Sequence, residues 1–310
     1  MKQNPEMAKN LLTKYVWLIN LFEGGKRLTL EDINEAWLKS SLSEGVRIPK
    51  RTFFNWRAVI EEMFGVVIEC ETRGREYRYY IDLEDDQKGD LRRWLISTFS
   101  VCNAISDSQQ IKDRIILEHI PSGQTFFTPI TEAMKENRFI HISYYSYWRE
   151  DIRDHYLKPL CVKLFRQRWY MVGRTWPANE DVLFCLDRIT DFRLSSHSFE
   201  YPKDFRPEVY FDHCFGIISD KDCKIEDVVL KVSASQANYL RNLPMMQGSD
   251  QQEIEQNEDY SIFKIKVRPT FDFQQELLWN REELEVLEPI WLRKEIARVI
   301  KKMWNKYNTN

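Results

Sequence analysis

Between residues 7 and 22 the apolar positions fall at Leu11, Leu12, Tyr15, Leu18, Ile19 and Phe22, steps of three and four that make one helical face. Gly24-Gly25 ends that run. A second helix is predicted from Thr29, which can cap it while Glu31 and Asp32 favour its N-terminal dipole, to about Ser40. A third opens at Pro49 and reaches Phe64, with Phe53, Trp56, Ile60 and Phe64 on one face and Gly65 after it. Two short strands follow, 66–70 and 77–81, joined by a turn at 72–76.

A charged stretch at 83–90 reads as a linker, with helices predicted at 91–103, 109–119 and 128–136. The pattern then changes to strands at 139–145, 156–165, 169–174, 182–187 and 189–194. Five short strands in about 60 residues imply a strongly curved sheet or small barrel. A third block reads strand 228–232, helix 235–243, strand 262–267, helix 271–279, strand 284–287 and a last helix from Pro289 to about Tyr307. In that last helix Ile290, Ile296, Val299, Ile300 and Met303 are expected to point inward. The fold class is therefore α+β and multidomain. Its expected parts are residues 1–82, a helical linker 83–137, a sheet domain 138–217 and an α+β domain 224–310.

The composition narrows the class without naming a function. Forty-five Lys+Arg stand against 48 Asp+Glu, a net charge of −3, which excludes a uniformly basic coat protein but not local basic surfaces. Hydrophobic residues at 43% suffice for packed cores. No apolar run approaches the roughly 18–20 residues a membrane helix needs, and the N-terminus lacks a signal-peptide layout. Six scattered cysteines with no CxxC pair fit reduced thiols, so a cytoplasmic protein with no membrane partner is expected.

Three helices and a two-stranded wing are the layout of a winged helix-turn-helix. Such a reader needs a helix with an apolar inner face and outer groups for phosphates and bases. The third helix offers Lys50, Arg51, Thr52, Asn55 and Arg57, and the wing tip offers Arg73 and Arg75 around a glycine. Arg can bond guanine, and Asn adenine, in bidentate fashion. The whole segment is not basic, with 13 basic residues against 12 acidic, so its charge is polarised.

Residues 138–174 hold eight basic side chains against three acidic ones, interleaved with aromatic rings. Cations for phosphates beside rings for bases suit single-stranded nucleic acid or nucleotides. Strand alternation puts Tyr170 and Arg174 on one face and Trp169 and Met171 on the other. Arg188 shares a face with Phe184 and Leu186, where it needs an anion: a ligand, or an internal acid such as Asp187 or Asp191. Lys158, Lys163, Arg168 and Arg174 join the candidate ligand residues on charge and strand geometry.

Lys158-Pro159-Leu160, then 168–173 with Trp169-Tyr170-Met171, then 184–189 with Asp187-Arg188, then Phe215-Gly216-Ile217, resemble the WYL-domain family of bacterial transcription regulators. The naming tripeptide ends in Met here. Arg51-Thr52-Phe53 resembles the start of that family's recognition helix. Leu243-Pro244 before a polar loop, Leu277-Leu278-Trp279, and 285–289 before the last helix resemble its C-terminal extension domain. The resemblance implies an Sm-like β-barrel that takes nucleic acid or a nucleotide-like ligand, a winged helix that binds duplex DNA, and a homodimer. By match to the family motif, Tyr144, Ser146, Tyr170 and Arg188 are the pocket residues it implies.

No HExxH, GxSxG, glycine-rich phosphate loop or calcium loop is present, and the five histidines are scattered. No catalytic residue, metal site or cofactor is expected. The reading is a ligand-sensing, DNA-binding transcriptional regulator rather than an enzyme. Its alternative is a non-regulatory accessory protein of a repair or phage-defence complex that binds single-stranded nucleic acid.

Overall fold

The computed structural model describes residues 5–22, 25–74, 76–81, 97–98, 101, 114–116 and 123–308, with side chains from residue 11 onward except at 41. The linker at 83–90 and nearly all of the helices expected at 91–103 and 109–119 lie outside the described residues. The chain divides into two compact units, 1–118 and 119–310.

In the first unit α1 (Pro5–Leu21), α2 (Leu30–Leu38) and α3 (Lys50–Phe64) precede an antiparallel hairpin, β1 (Ile68–Arg73) and β2 (Glu76–Ile81). Thr29 caps α2 as its sequence implies. Its side chain accepts from the Asp32 N–H at 3.2 Å, and Asp32 accepts from the Thr29 N–H at 2.8 Å. Buried Asn34 fixes the path from α2 to α3, taking the Ile48 N–H at 2.7 Å. The core collects Leu18, Ile19 and Phe22 of α1, Ile33 and Trp37 of α2, and Phe53, Trp56 and Ile60 of α3. Trp37 meets Trp17 at 4.9 Å and Trp56 at 5.6 Å, both edge-on. Gly65 ends α3 at φ +61°, a left-handed turn where a side chain would be strained. The strands run longer than the sequence pattern implied, and Leu28 pairs with Tyr79 beside them.

The second unit opens with α4 (Gln124–Lys135), which lays Ile130 and Ala133 on a five-stranded antiparallel sheet. Its strands are β3 (Arg138–Ser146), β4 (Asp151–Phe165), β5 (Arg168–Thr175), β6 (Asp181–Cys185) and β7 (Ile189–Ser198), in the order β6-β5-β4-β3-β7. Ile140, Ile142, Leu157, Met171 and Phe184 face α4 in a fully buried cluster. A smaller cluster of Leu160, Cys161 and Val172 lies under Phe205, ahead of the short helix α5 (Pro207–Tyr210). The strand expected over 182–187 stops early: 186–188 is a 3₁₀ turn, so Arg188 leaves the sheet rather than sharing a strand face with Phe184.

The remainder of this unit is β8 (Glu226–Ser233), α6 (Ala234–Asn242), β9 (Gln251–Gln256), β10 (Tyr260–Val267), α7 (Phe271–Trp279), β11 (Leu284–Glu288) and α8 (Ile290–Asn308). The βαββαβ chain order with sheet order β11-β8-β10-β9 is a ferredoxin-like arrangement. Strand β9 falls in the segment read as a polar loop. Its sequence QQEIEQ shows no buried position, because it is an edge strand held by backbone pairing to β10.

The two sheets are joined by residues 211–218. Phe215 sits between Phe165 and Phe273 at 5.8 Å from each ring. Asp272 at the start of α7 accepts from Ile217 N–H at 2.9 Å and Ile218 N–H at 3.1 Å. A Cβ at Gly216 would lie 2.5 Å from the Asp272 carboxylate, so only glycine fits there. The expected inward face of α8 is corrected: Leu292 is buried and Ile296 packs on the core, but Ile290, Ile300 and Met303 are exposed.

Candidate nucleic-acid interface

On α3 the apolar stripe faces the core, which leaves Lys50, Arg51 and Asn55 exposed and Thr52 half-buried. Arg57 is different. Its guanidinium donates to the Ile68 carbonyl and lies over the rings of Phe54 (5.6 Å) and Tyr79 (5.2 Å). Arg57 therefore ties α3 to the hairpin and does not stand on the outward face with the others. Arg73 is exposed at the end of β1, and Arg75 lies outside the described residues. Nearby cations are already matched: Arg47 with Glu31, and Arg27 with Glu71 and the Tyr80 ring.

In the five-stranded sheet the expected ligand residues separate into engaged and free. Arg174 is buried and bonds Asp181 at 2.6 and 3.1 Å and Asp204 at 3.1 Å. Arg168 is paired with Asp187, and the pair holds that carboxyl below its ordinary range against the opposing effect of burial. Lys163 donates to the Gly216 carbonyl at 2.5 Å with its ammonium over the Phe211 ring at 4.2 Å, and desolvation lowers its pKa. Lys158 is held between Phe139, Trp176 and Phe199 at 5.6–5.9 Å, on the face of the sheet away from Ile140 and Leu157. These four cations, expected as ligand contacts, are each engaged inside the protein. Taking a cation out of water without a partner is costly, so buried Arg174 and half-buried Lys158, Lys163 and Arg168 have each found a carboxylate, a carbonyl or a ring.

Arg188 has a ring but no carboxylate match among the described residues. Asp187 and Asp191, its expected internal partners, bind Arg168 and Arg193 instead. Its guanidinium lies 3.9 Å from the Tyr147 ring centre, and its Nε is buried with no hydrogen-bond partner. Tyr144 stands beside it. Burial raises the Tyr144 pKa, and Arg188 pulls in the opposite direction. The Tyr144 hydroxyl accepts from the Cys185 N–H at 3.2 Å and its ring meets Phe184 edge-on at 5.1 Å. His155 also packs on Phe184, and desolvation lowers its pKa.

Tyr170 is buried, its pKa pushed up to about 12 by desolvation and then by Cys185. It belongs with the Cys185–Asp187–Arg168 chain, where the Cys185 thiol donates to Asp187 at 2.7 Å and is itself pushed up to about 11 by burial. Tyr144 and Tyr170 therefore meet opposite parts of the same residue, Cys185. Ser146 is half-buried at the end of β3, paired in register with Asp151. Tyr147, the ring under Arg188, was visible among the interleaved aromatics but had no signal to single it out. Next to it Trp148 is 94% exposed.

No three His, Cys, Asp or Glu side chains gather as a metal site among the described residues, and no described helix is long and apolar enough to cross a membrane.

Residues 125–194 match the WYL domain and residues 224–304 match the WCX domain. No curated protein matches the chain. Among solved structures, proteasome accessory factor B/C (PafBC) of Arthrobacter aurescens is 17% identical with a TM-score of 0.37, covering 97% of this chain and 48% of that one. A CRISPR Cas-related protein is 12% identical with a TM-score of 0.39, covering 97% of this chain and 85% of its own. The chain thus spans about half the length of the first of these. With both domains matched in sequence, the chain carries a WYL domain followed by a WCX domain.

Proposed function

We propose that this chain is a cytoplasmic, non-enzymatic regulator of transcription. Its first unit is a winged helix-turn-helix that binds duplex DNA, and its WYL domain is a small Sm-like barrel that senses a nucleic-acid or nucleotide-like ligand. The observation that carries the sensor is Arg188, a guanidinium set on the Tyr147 ring with a buried, unsatisfied Nε and no described carboxylate bound to it. An anionic group beside an aromatic face is the chemistry such a cation accepts, and a phosphate next to a base supplies both. The DNA reader is supported by exposed Lys50, Arg51 and Asn55 on one helix, packed above a hairpin. The strand order β6-β5-β4-β3-β7, with only a 3₁₀ turn between β6 and β7, supports the barrel. The homodimer follows from the family resemblance, and ligand binding would bias the spacing of two winged helices.

The test is fluorescence anisotropy on duplex DNA from the gene's own upstream region against scrambled duplex. Salt is fixed, because phosphate contacts alone give strong non-specific binding. A preference for the upstream duplex that a short single strand changes, and that Arg188→Ala no longer lets it change, is the expected result. Equal binding to both duplexes, with tight single-strand binding, would sink the regulator in favour of an accessory protein.

A further inference from the structure

Gly123 opens α4 at φ +66°, a left-handed value that favours glycine. It is also pressed against the turn that carries Arg188. A Cβ at 123 would lie 2.5 Å from the Asp187 nitrogen, 2.5 Å from the Leu186 Cβ and 2.6 Å from the Leu186 carbonyl carbon. These atoms belong to the backbone or hang directly from it, so no rotamer change makes room. The turn itself is stiff. Leu186 is fully buried, its carbonyl accepts from the Ile189 N–H, and the Asp187 carboxylate is held by Arg168 and by the Cys185 thiol. The start of α4 is less firmly tied. Pro129 has no N–H, so the Thr125 carbonyl loses its helical partner. Before that break the helix is held by ring contacts, with Phe127 4.3 Å from Trp169. Beyond it Ile130 and Ala133 are fully buried against the sheet.

We propose that Gly123 is the positioning residue that passes the state of Arg188 along the chain toward the first unit. The proposal rests on the sensor of the preceding section and names how its state leaves the site. Residue 123 is where the chain that comes from the first unit enters α4. The route is short. An anion that takes the unsatisfied Nε of Arg188 draws the guanidinium from the Tyr147 ring, and the turn that carries it bears on Gly123 main chain to main chain. Such a contact has no side chain to absorb a displacement, so the turn and the start of α4 shift together about the break at Pro129. The two positions of that first turn are the two states that coupling requires. Glycine is needed at 123 because a side chain would wedge the turn into one of them.

Fluorescence anisotropy of the full chain tests this, read on the upstream duplex with and without single-stranded oligothymidylate, and on the labelled oligothymidylate itself. In the wild type the strand should change the duplex dissociation constant by about 5–150-fold. Pro129→Ala supplies the missing helix bond and stiffens the pivot. It should cut that factor by about threefold or more while strand binding is kept and the unfolding midpoint does not fall, a pattern that a merely structural role would not give. Gly123→Ala should bring the factor close to one, and if its own midpoint falls, Pro129→Ala decides. A wild type whose duplex binding ignores the strand overturns the sensor and the coupling with it. Full coupling in both variants leaves the sensor standing and overturns the route through Gly123. Loss of strand binding in Pro129→Ala at an unchanged midpoint means that α4 builds the ligand site instead of reporting on it, and also overturns the route.

Discussion

Helices α3 and α8 are written in the same way, with apolar residues every three or four positions and cations on the other side. Their fates differ. In α3 the stripe of Phe53, Trp56 and Ile60 is almost wholly buried against α1, α2 and the hairpin. In α8 only the first turns are covered, and Ile300, Met303 and Tyr307 stand in solvent. The difference teaches what periodicity means. It states that a face would gain by being covered, at about 25 cal/mol per Å² of apolar surface, and says nothing of who covers it. Two helices and a hairpin surround α3. The four-stranded sheet ends at β11, and nothing described in the chain follows α8 along its length.

The sharpest way to break the comparison is a matched pair of truncations. Phe53→Ala should cost the first unit about 3–5 kcal/mol, for lost burial and a cavity in a closed core. Met303→Ala should move stability by less than about 0.5 kcal/mol. Denaturant melts would read both, and a loss above about 2 kcal/mol at Met303 would show that α8 is covered after all.

The same contrast between engaged and free groups runs through the cations. Arg174→Ala should cost about 2–3 kcal/mol, since it strands Asp181, although Asp204 remains in solvent. Arg193→Ala, from an exposed pair, should be near neutral in the same melts. Within α3 the two arginines should exchange roles. Arg57→Ala should cost stability by about 1–2 kcal/mol, for its carbonyl bond and ring contacts. Arg51→Ala should leave the melt unchanged and cost about 1–3 kcal/mol of duplex affinity. If Arg57→Ala reduced duplex binding without touching the melt, its placement as an internal tie would be wrong.

The smallest expected effect is at His155, half-buried against Phe184. Desolvation lowers its folded pKa from 6.5, so the unfolded chain binds the proton more readily. Its contribution is present above pH 6.5 and is lost as pH falls through the lower folded value. Melts from pH 7 to 5 should therefore slope less steeply for His155→Gln than for the wild type, and an unchanged slope would mean that burial does not act on this ring.

Much of the fold was legible because its signals are local. The caps at Thr29 and Gly65, the helix 271–279 and the strand alternation around Ile140 and Ile142 each follow from a few neighbouring residues. Strand β9 was not legible, because an exposed edge strand needs only backbone partners and leaves no apolar pattern. The candidate site was half legible. A basic, aromatic segment was plain, but charge counting could not tell Arg188 from Arg174. Asp204 is 30 residues from Arg174 along the chain, and Gly216 is 53 from Lys163.

The sequence by itself determined most of the described helices and strands and that positive charge gathers in residues 138–174. Short-range periodicity and composition are sufficient for that. Only the tertiary structure decided which of those charges find a partner inside the protein and which do not. A cation's fate depends on the nearest carboxylate, carbonyl or ring in space, and folding brings these from positions the chain order keeps apart.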